Sequence, residues 1–96
     1  MNYSFHPAAE AEHLETIAYY ESQRAGLGAN YLAELERLMQ DICQSPQRYP
    51  IKKEPGIRHK AMNQFPFAIL YQENSEMVQI LAVAHHRRRP TYWLGR

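Results

Sequence analysis

Nine consecutive residues, His85-His86-Arg87-Arg88-Arg89-Pro90-Thr91-Tyr92-Trp93, concentrate the chemistry of this sequence. Imidazoles donate and accept protons near neutral pH, guanidinium groups fork onto phosphates or carboxylates, and a phenol can supply a proton. Each type also has a plainer use. Adjacent residues on a strand point to opposite faces, so His85 and His86 make a poor metal site and one of them should look toward the covered side. Arg87, Arg88 and Arg89 either bind an anion or solvate the end of a strand. Trp93 either stacks on a base or folds back over a sheet edge, the commoner fate of an aromatic residue in a short turn.

The cluster follows a segment, Val78 to Ala84, that is apolar at almost every position, the pattern of a strand covered on both faces. Before it, Phe67 to Glu73 alternates, with Phe67, Ile69 and Tyr71 facing one way and Ala68 and Leu70 the other, and Asn74-Ser75 supplies a hairpin turn. Ile57 to Met62 reads as a further strand, with Arg58 and Lys60 on one face and Ile57, His59 and Ala61 on the other. If Arg58, Lys60, Lys52 and Lys53 converge with Arg87 to Arg89, the groove between them is basic. Pro46 to Gly56 reads as an irregular surface connection.

The first half of the chain is helical. A short strand, Tyr3 to Phe5, leads to Pro7, which suits a first helical turn because its missing N–H would be unpaired there. From Ala8 to about Arg24, Ala11, Leu14, Ile17, Ala18 and Tyr19 or Tyr20 recur at threes and fours among glutamates. Ala25-Gly26-Leu27-Gly28 breaks the helix, and a second follows with Tyr31, Leu32, Leu35, Leu38, Met39 and Ile42 on one face, ending at Ser45 before Pro46. So short a link predicts an antiparallel hairpin. The expected fold is α+β: an N-terminal strand and a helical hairpin packed on a sheet completed by three C-terminal antiparallel strands, all in one domain over residues 1–96.

Composition narrows the function classes. The single cysteine, Cys43, excludes an internal disulfide and leaves no paired-thiol zinc or redox motif, so no metal and no cofactor are expected. No apolar run approaches the roughly 18 residues of a membrane span, and no basic-then-apolar leader opens the chain; the expectation is a cytoplasmic protein with no membrane partner. Charge is segregated. Residues 1–46 hold seven acids and two bases, whereas residues 47–96 hold nine bases and three acids. Such polarity can steer a polyanion or an acidic protein to one side.

One further pattern spans nearly the whole chain. Phe5-x-Pro7-x-Ala9, Tyr19-Tyr20-Glu21, Leu27-Gly28, Pro46-x-x-Tyr49-Pro50, Phe65-Pro66-Phe67-x-Ile69-x-Tyr71 and Ile80-Leu81-Ala82-Val83-x-His85-x-x-Arg88-x-Pro90-x-Tyr92-Trp93 together resemble the ParE/RelE superfamily of type II toxin–antitoxin toxins. The resemblance implies the same element order, as one mixed sheet in which the first strand pairs with a later one. It also implies a growth-inhibiting toxin of the plasmid-stabilisation type, neutralised by a cognate antitoxin whose helix and extended tail wrap it.

The superfamily divides by target. Its RelE-like members are ribosome-dependent mRNA endoribonucleases and its ParE-like members block DNA gyrase. Metal-free RNA cleavage needs a base for the 2′-hydroxyl, an acid for the leaving oxygen and cations for the charge developing on phosphorus. Carried over from the RelE pattern, His59 and Ala61 fall near its second-strand lysines, Ala68 at its third-strand arginine, His86 at its later arginine and Tyr92 at its tyrosine. Alanine cannot stabilise a phosphorane. The departures favour a ParE-like reading without a hydrolytic site, with Arg58, Lys60, Arg87, Arg88 and Arg89 meeting antitoxin or target. The alternative acts on ribosome and mRNA with His86, Arg88 and Tyr92 as catalytic residues, and a third reading is a degenerate member that only binds its antitoxin.

Overall fold

The computed structural model describes residues 1–96. The chain runs β1 (Asn2–Phe5), α1 (Pro7–Gln23), α2 (Leu27–Gln44), β2 (Ile51–Lys53), β3 (Ile57–Ala61), β4 (Phe67–Asn74) and β5 (Met77–His85). The strands make one sheet in the order β1-β5-β4-β3-β2, with β1 parallel to β5 and every other pair antiparallel. The expected α+β architecture is present with one addition. Ile51–Lys53, expected as irregular connection, forms a fifth strand at the sheet edge. Three exposed residues, two of them lysines, are the short and charged kind of edge that resists pairing with other chains, and they carry little alternation to read.

Local chemistry sets the helix ends. His6 precedes Pro7, and its Nδ1 accepts the N–H of Ala8 at 3.1 Å, so an imidazole caps α1 in place of the usual hydroxyl or carboxylate. At the link, Gly26 takes the left-handed conformation (φ +88°), and the Glu21 carboxylate accepts the N–H groups of Gly26 at 2.8 Å and Gly28 at 3.0 Å. Those donors belong to the start of α2, where no intrahelical acceptor exists. A side chain of α1 thus begins the helix that packs against it.

The larger core lies between the helices and one sheet face. Tyr31, Leu35, Met39 and Ile42 of α2 meet Ile69 and Tyr71 of β4 and Val78, Ile80 and Val83 of β5. The α1 stripe differs from its expected one. Leu14 is 58% exposed and Ala11 and Ala18 also face solvent, while Ala9 and His13 are buried and Ile17 and Tyr20 pack behind them. The helix is turned by aromatic partners that apolar periodicity does not count: His13 stacks on Phe5 at 4.7 Å and its Nδ1 bonds the Tyr31 hydroxyl at 3.0 Å.

The other sheet face carries a smaller core of Leu70, Leu81, Ala82 and Trp93. The β4–β5 ladder pairs Leu70 with Ala82 and then Tyr71 with Ile80, leaving Leu81 as an extra residue. This bulge lets Leu81 and Ala82 both turn toward Trp93, so β5 is covered on both faces as its composition predicts. The hairpin turn is Ser75-Glu76, one residue later than expected, with Ser75 at φ +53°. No helix is long and apolar enough to cross a membrane.

Candidate functional site

Strand β5 ends at His85, and the segment after it turns back across the sheet face opposite the helices. Two bonds start the turn: the Arg87 N–H donates to His85 Nδ1 at 3.0 Å, and the Arg88 N–H donates to the His85 carbonyl at 2.9 Å. The His85 ring stands edge-on to Phe67 at 5.1 Å, while His86 is exposed and its backbone N–H donates to the Pro66 carbonyl. The expected opposite facing does not hold, because β5 ends at His85: His86 already belongs to the turn, and both histidines line the groove beside it. Thr91 then adopts φ +67°, a costly conformation for a β-branched residue, and Trp93 drops onto Leu70 and Leu81 with 3% of its surface exposed.

This turn walls a groove of about 360 Å³. Its floor is apolar, formed by Ala68, Leu70 and Ala84, and its rim carries Lys52, His59, His86, Arg88 and Arg89, with Tyr92 at one side. Behind the wall a second cleft of about 540 Å³ opens toward α1, between Glu12, Glu15, Tyr19 and Tyr20 and the end of β5. His85, Arg88 and Tyr92 line both.

Electrostatics fixes that wall. The Arg88 guanidinium lies 4.0 Å from the centre of the Tyr92 ring, with Arg96 5.1 Å from the same ring. Both arginines reach Glu12 of α1. Arg96 holds it in a two-pronged pair at 2.8 and 2.9 Å and also donates to the Leu81 carbonyl at 3.0 Å, whereas Arg88 approaches only to 3.7 Å. Burial raises the Tyr92 phenol above its ordinary pKa and Glu12 adds to this, outweighing the two arginines. The phenol is therefore a neutral donor at physiological pH. Burial, then Lys52, lowers the pKa of His59, so its imidazole is held toward the neutral form.

The sequence-derived set divides between the two sheet faces. His86, Arg88, Arg89 and Tyr92 share the groove, and Arg87 lies exposed beside it, lining neither cleft. Arg58 and Lys60 project to the helix side, as their alternation with His59 and Ala61 requires. Arg58 donates to the carbonyls of Tyr49 at 2.7 Å and Gln47 at 3.3 Å, tying down the connection after α2. Lys60 sits 5.3 Å over the Tyr49 ring, whose hydroxyl donates to Asp41. The basic residues converge only in part, with Lys52 and His59 joining the groove where Arg58 and Lys60 do not.

Sequence reasoning missed Glu12, which reads there as one more solvated glutamate between apolar positions, and Arg96, which reads only as a terminal charge. Nothing local marks them. They meet across 84 residues of chain. The groove can hold a ligand that is apolar along its middle and anionic at its edge. Its floor has Ala68 where the resemblance to RNA-cleaving relatives would place a cation.

Comparison with known proteins agrees with this fold. Nine chains of solved structures match, and one of them, described as "Chromosomal ParDE TA system from P. aeruginosa", has a TM-score of 0.74 over 88% of this chain and 95% of its own, at 17% identity. That likeness is one of fold. No curated protein sequence matches. The sequence profile described as "ParE toxin of type II toxin-antitoxin system, parDE" matches residues 3–90, which takes in both helices, strands β2 to β5, all of β1 but its first residue, and the arginine run. The chain belongs to the ParE toxin family of type II toxin–antitoxin systems.

Proposed function

We propose that this toxin arrests growth by binding DNA gyrase, without hydrolytic chemistry of its own, and that a cognate antitoxin neutralises it by occupying the same face. The observation that carries the reading is the groove floor: Ala68, Leu70 and Ala84 form an apolar strip beneath a cationic rim. Apolar surface flanked by cations fits an amphipathic acidic protein segment, and charge complementarity of this kind speeds encounter and fixes register. A phosphorane needs cations at the reacting phosphate, and the floor offers methyl groups.

One observation favours the RNase alternative. His59, His86, Arg88 and Tyr92 line one groove, and a neutral imidazole and a neutral phenol are suitable proton-transfer groups. A paired assay separates the readings: supercoiling by purified gyrase, and mRNA cleavage on translating ribosomes, each with toxin added. The expected result is inhibited supercoiling and intact mRNA. Cleavage abolished by His86→Ala or Tyr92→Phe would replace the gyrase reading with the ribonuclease one. Inactivity in both assays, with retained antitoxin binding, would identify a degenerate member that only binds its antitoxin.

A further inference from the structure

Glu12 grips two arginines very unequally. With Arg96 it makes two short parallel bonds, the Arg96 side chain is 15% exposed, and the Leu81 carbonyl takes a further bond. That guanidinium is committed. Arg88 is 53% exposed, its nearest approach to the carboxylate is 3.7 Å, and Glu12 is the only acidic group within reach of it. A guanidinium offers five N–H donors, so Arg88 retains most of its binding capacity. Its guanidinium carbon lies over the Tyr92 ring at 4.0 Å, a cation–π contact that restrains the side chain and so reduces the freedom lost when it binds. It stands in the wall between the cleft that holds Glu12 and the groove on the other side.

We propose that Arg88, braced by Tyr92, is a recognition site for an acidic side chain of a partner peptide lying in the groove, and that Glu12 is its competitor within the same molecule. Glu12 thus has two roles: it locks Arg96 to the Leu81 bulge, and it lowers the affinity of Arg88 for an incoming carboxylate. The inference rests on the reading of the basic rim as a partner surface. The chemistry required of the partner is a carboxylate next to apolar residues that cover Ala68 and Ala84.

Charge removal anywhere nearby would favour an anion, so the test needs a matched control. Glu15 lies on the same helix, lines the same cleft and makes no ion pair. A fluorescein-labelled peptide of repeated Glu-Leu-Leu-Glu units serves as the probe, with binding followed by anisotropy at low ionic strength. Glu12→Gln should tighten binding about two- to fivefold beyond the change given by Glu15→Gln, the range expected for an exposed ion pair. In an Arg88→Ala background the difference between the two variants should vanish.

Equal changes in Glu12→Gln and Glu15→Gln would overturn the competition, as would a Glu12→Gln gain that survives Arg88→Ala. Binding indifferent to Arg88→Ala, or no binding of the probe, would overturn the site itself. If Glu12→Gln folds poorly, the wild-type protein labelled with ¹³C at its glutamate carboxylates provides the readout: the Glu12 resonance should shift on titration with peptide and the Glu15 resonance should not, and a motionless Glu12 resonance would overturn the proposal. These outcomes are independent of the gyrase assay. A failure here leaves the gyrase reading standing, and inactivity on gyrase leaves this competition intact.

Discussion

At Gly28 the helical hairpin has room for a hydrogen atom and nothing more. A Cβ there would lie 2.7 Å from the Ile17 carbonyl oxygen and 3.0 Å from a Glu21 carboxylate oxygen. Gly28→Ala should therefore destabilise the protein by about 1–3 kcal/mol through overpacking, against about 1 kcal/mol of helix propensity gained. A raised midpoint in urea denaturation would show that the helices can part to admit the methyl group. His13 supplies a pH dependence. Burial lowers its pKa below the usual 6.5, against the raising fields of Glu10 and Glu36. Above that value both the native and the unfolded chain hold a neutral imidazole. As pH falls through about 6.5 the unfolded chain binds the proton first, so stability declines until the lower native pKa is passed. The urea midpoint should drop from pH 7 to pH 5, and drop less in His13→Gln; an unchanged slope in that variant would assign the loss to other groups. Little of this is legible in the residues alone. The period of a strand separates Arg58 and Lys60 from His59 and Ala61, but it stops at His85 and does not carry His86 to the other face, and the burial of His13 depends on Phe5 and Tyr31, partners that no local pattern announces.

Among the elements, β5 and the turn after it depend on one another. Trp93 is what covers the second face of the sheet, over Leu70, Leu81 and Ala82. Trp93→Ala should cost about 3–5 kcal/mol. It should also loosen the wall that carries Arg88 and Tyr92, so hydrogen exchange of the backbone amides from Leu81 to Ala84 should rise more than that of α2; a uniform rise would mean the wall is held by Glu12 and Arg96 instead. The double covering of β5 could be read from its unbroken apolar run, and the alternation of β4 placed Ala68 and Leu70 on the groove side correctly. The bulge at Leu81 could not be read, because apolar residues on both faces of a strand hide a slip of one position. The stripe of α1 is legible only in part, at Ile17 and Tyr20, for a related reason. Small and apolar residues recur on two of its faces, and only the aromatic contacts to β1 and α2 decide between them.

At the scale of the whole molecule, the charge segregation visible in the sequence becomes two surfaces, since the acid-rich hairpin covers one sheet face and the rim of Lys52, Arg88 and Arg89 flanks the other. Association with an acidic peptide should therefore slow as salt rises, while dissociation changes less. Stopped-flow measurement at low and high salt checks this, and an on-rate indifferent to salt would remove steering from the account. The sequence overstated the polarity of the basic half, because Arg58, Lys60 and Arg48 are spent on Tyr49, Gln47 and Asp41 rather than on the groove.

The pairing of β1 with β5 and the grip of Glu12 on Arg96 also set an order in time. Each joins an early segment to a late one, the latter across 84 positions. The hairpin of helices and the hairpin of β4 and β5 can form from neighbours, but β1 has no strand to lie against until β5 has been synthesised, and contacts that close so long a loop are the slow ones. Until the residues after β5 have been made, the nascent chain therefore lacks the wall and the His86, Arg88 and Arg89 part of the rim. The face proposed to meet a partner is therefore assembled only after β5 and the turn behind it have been made.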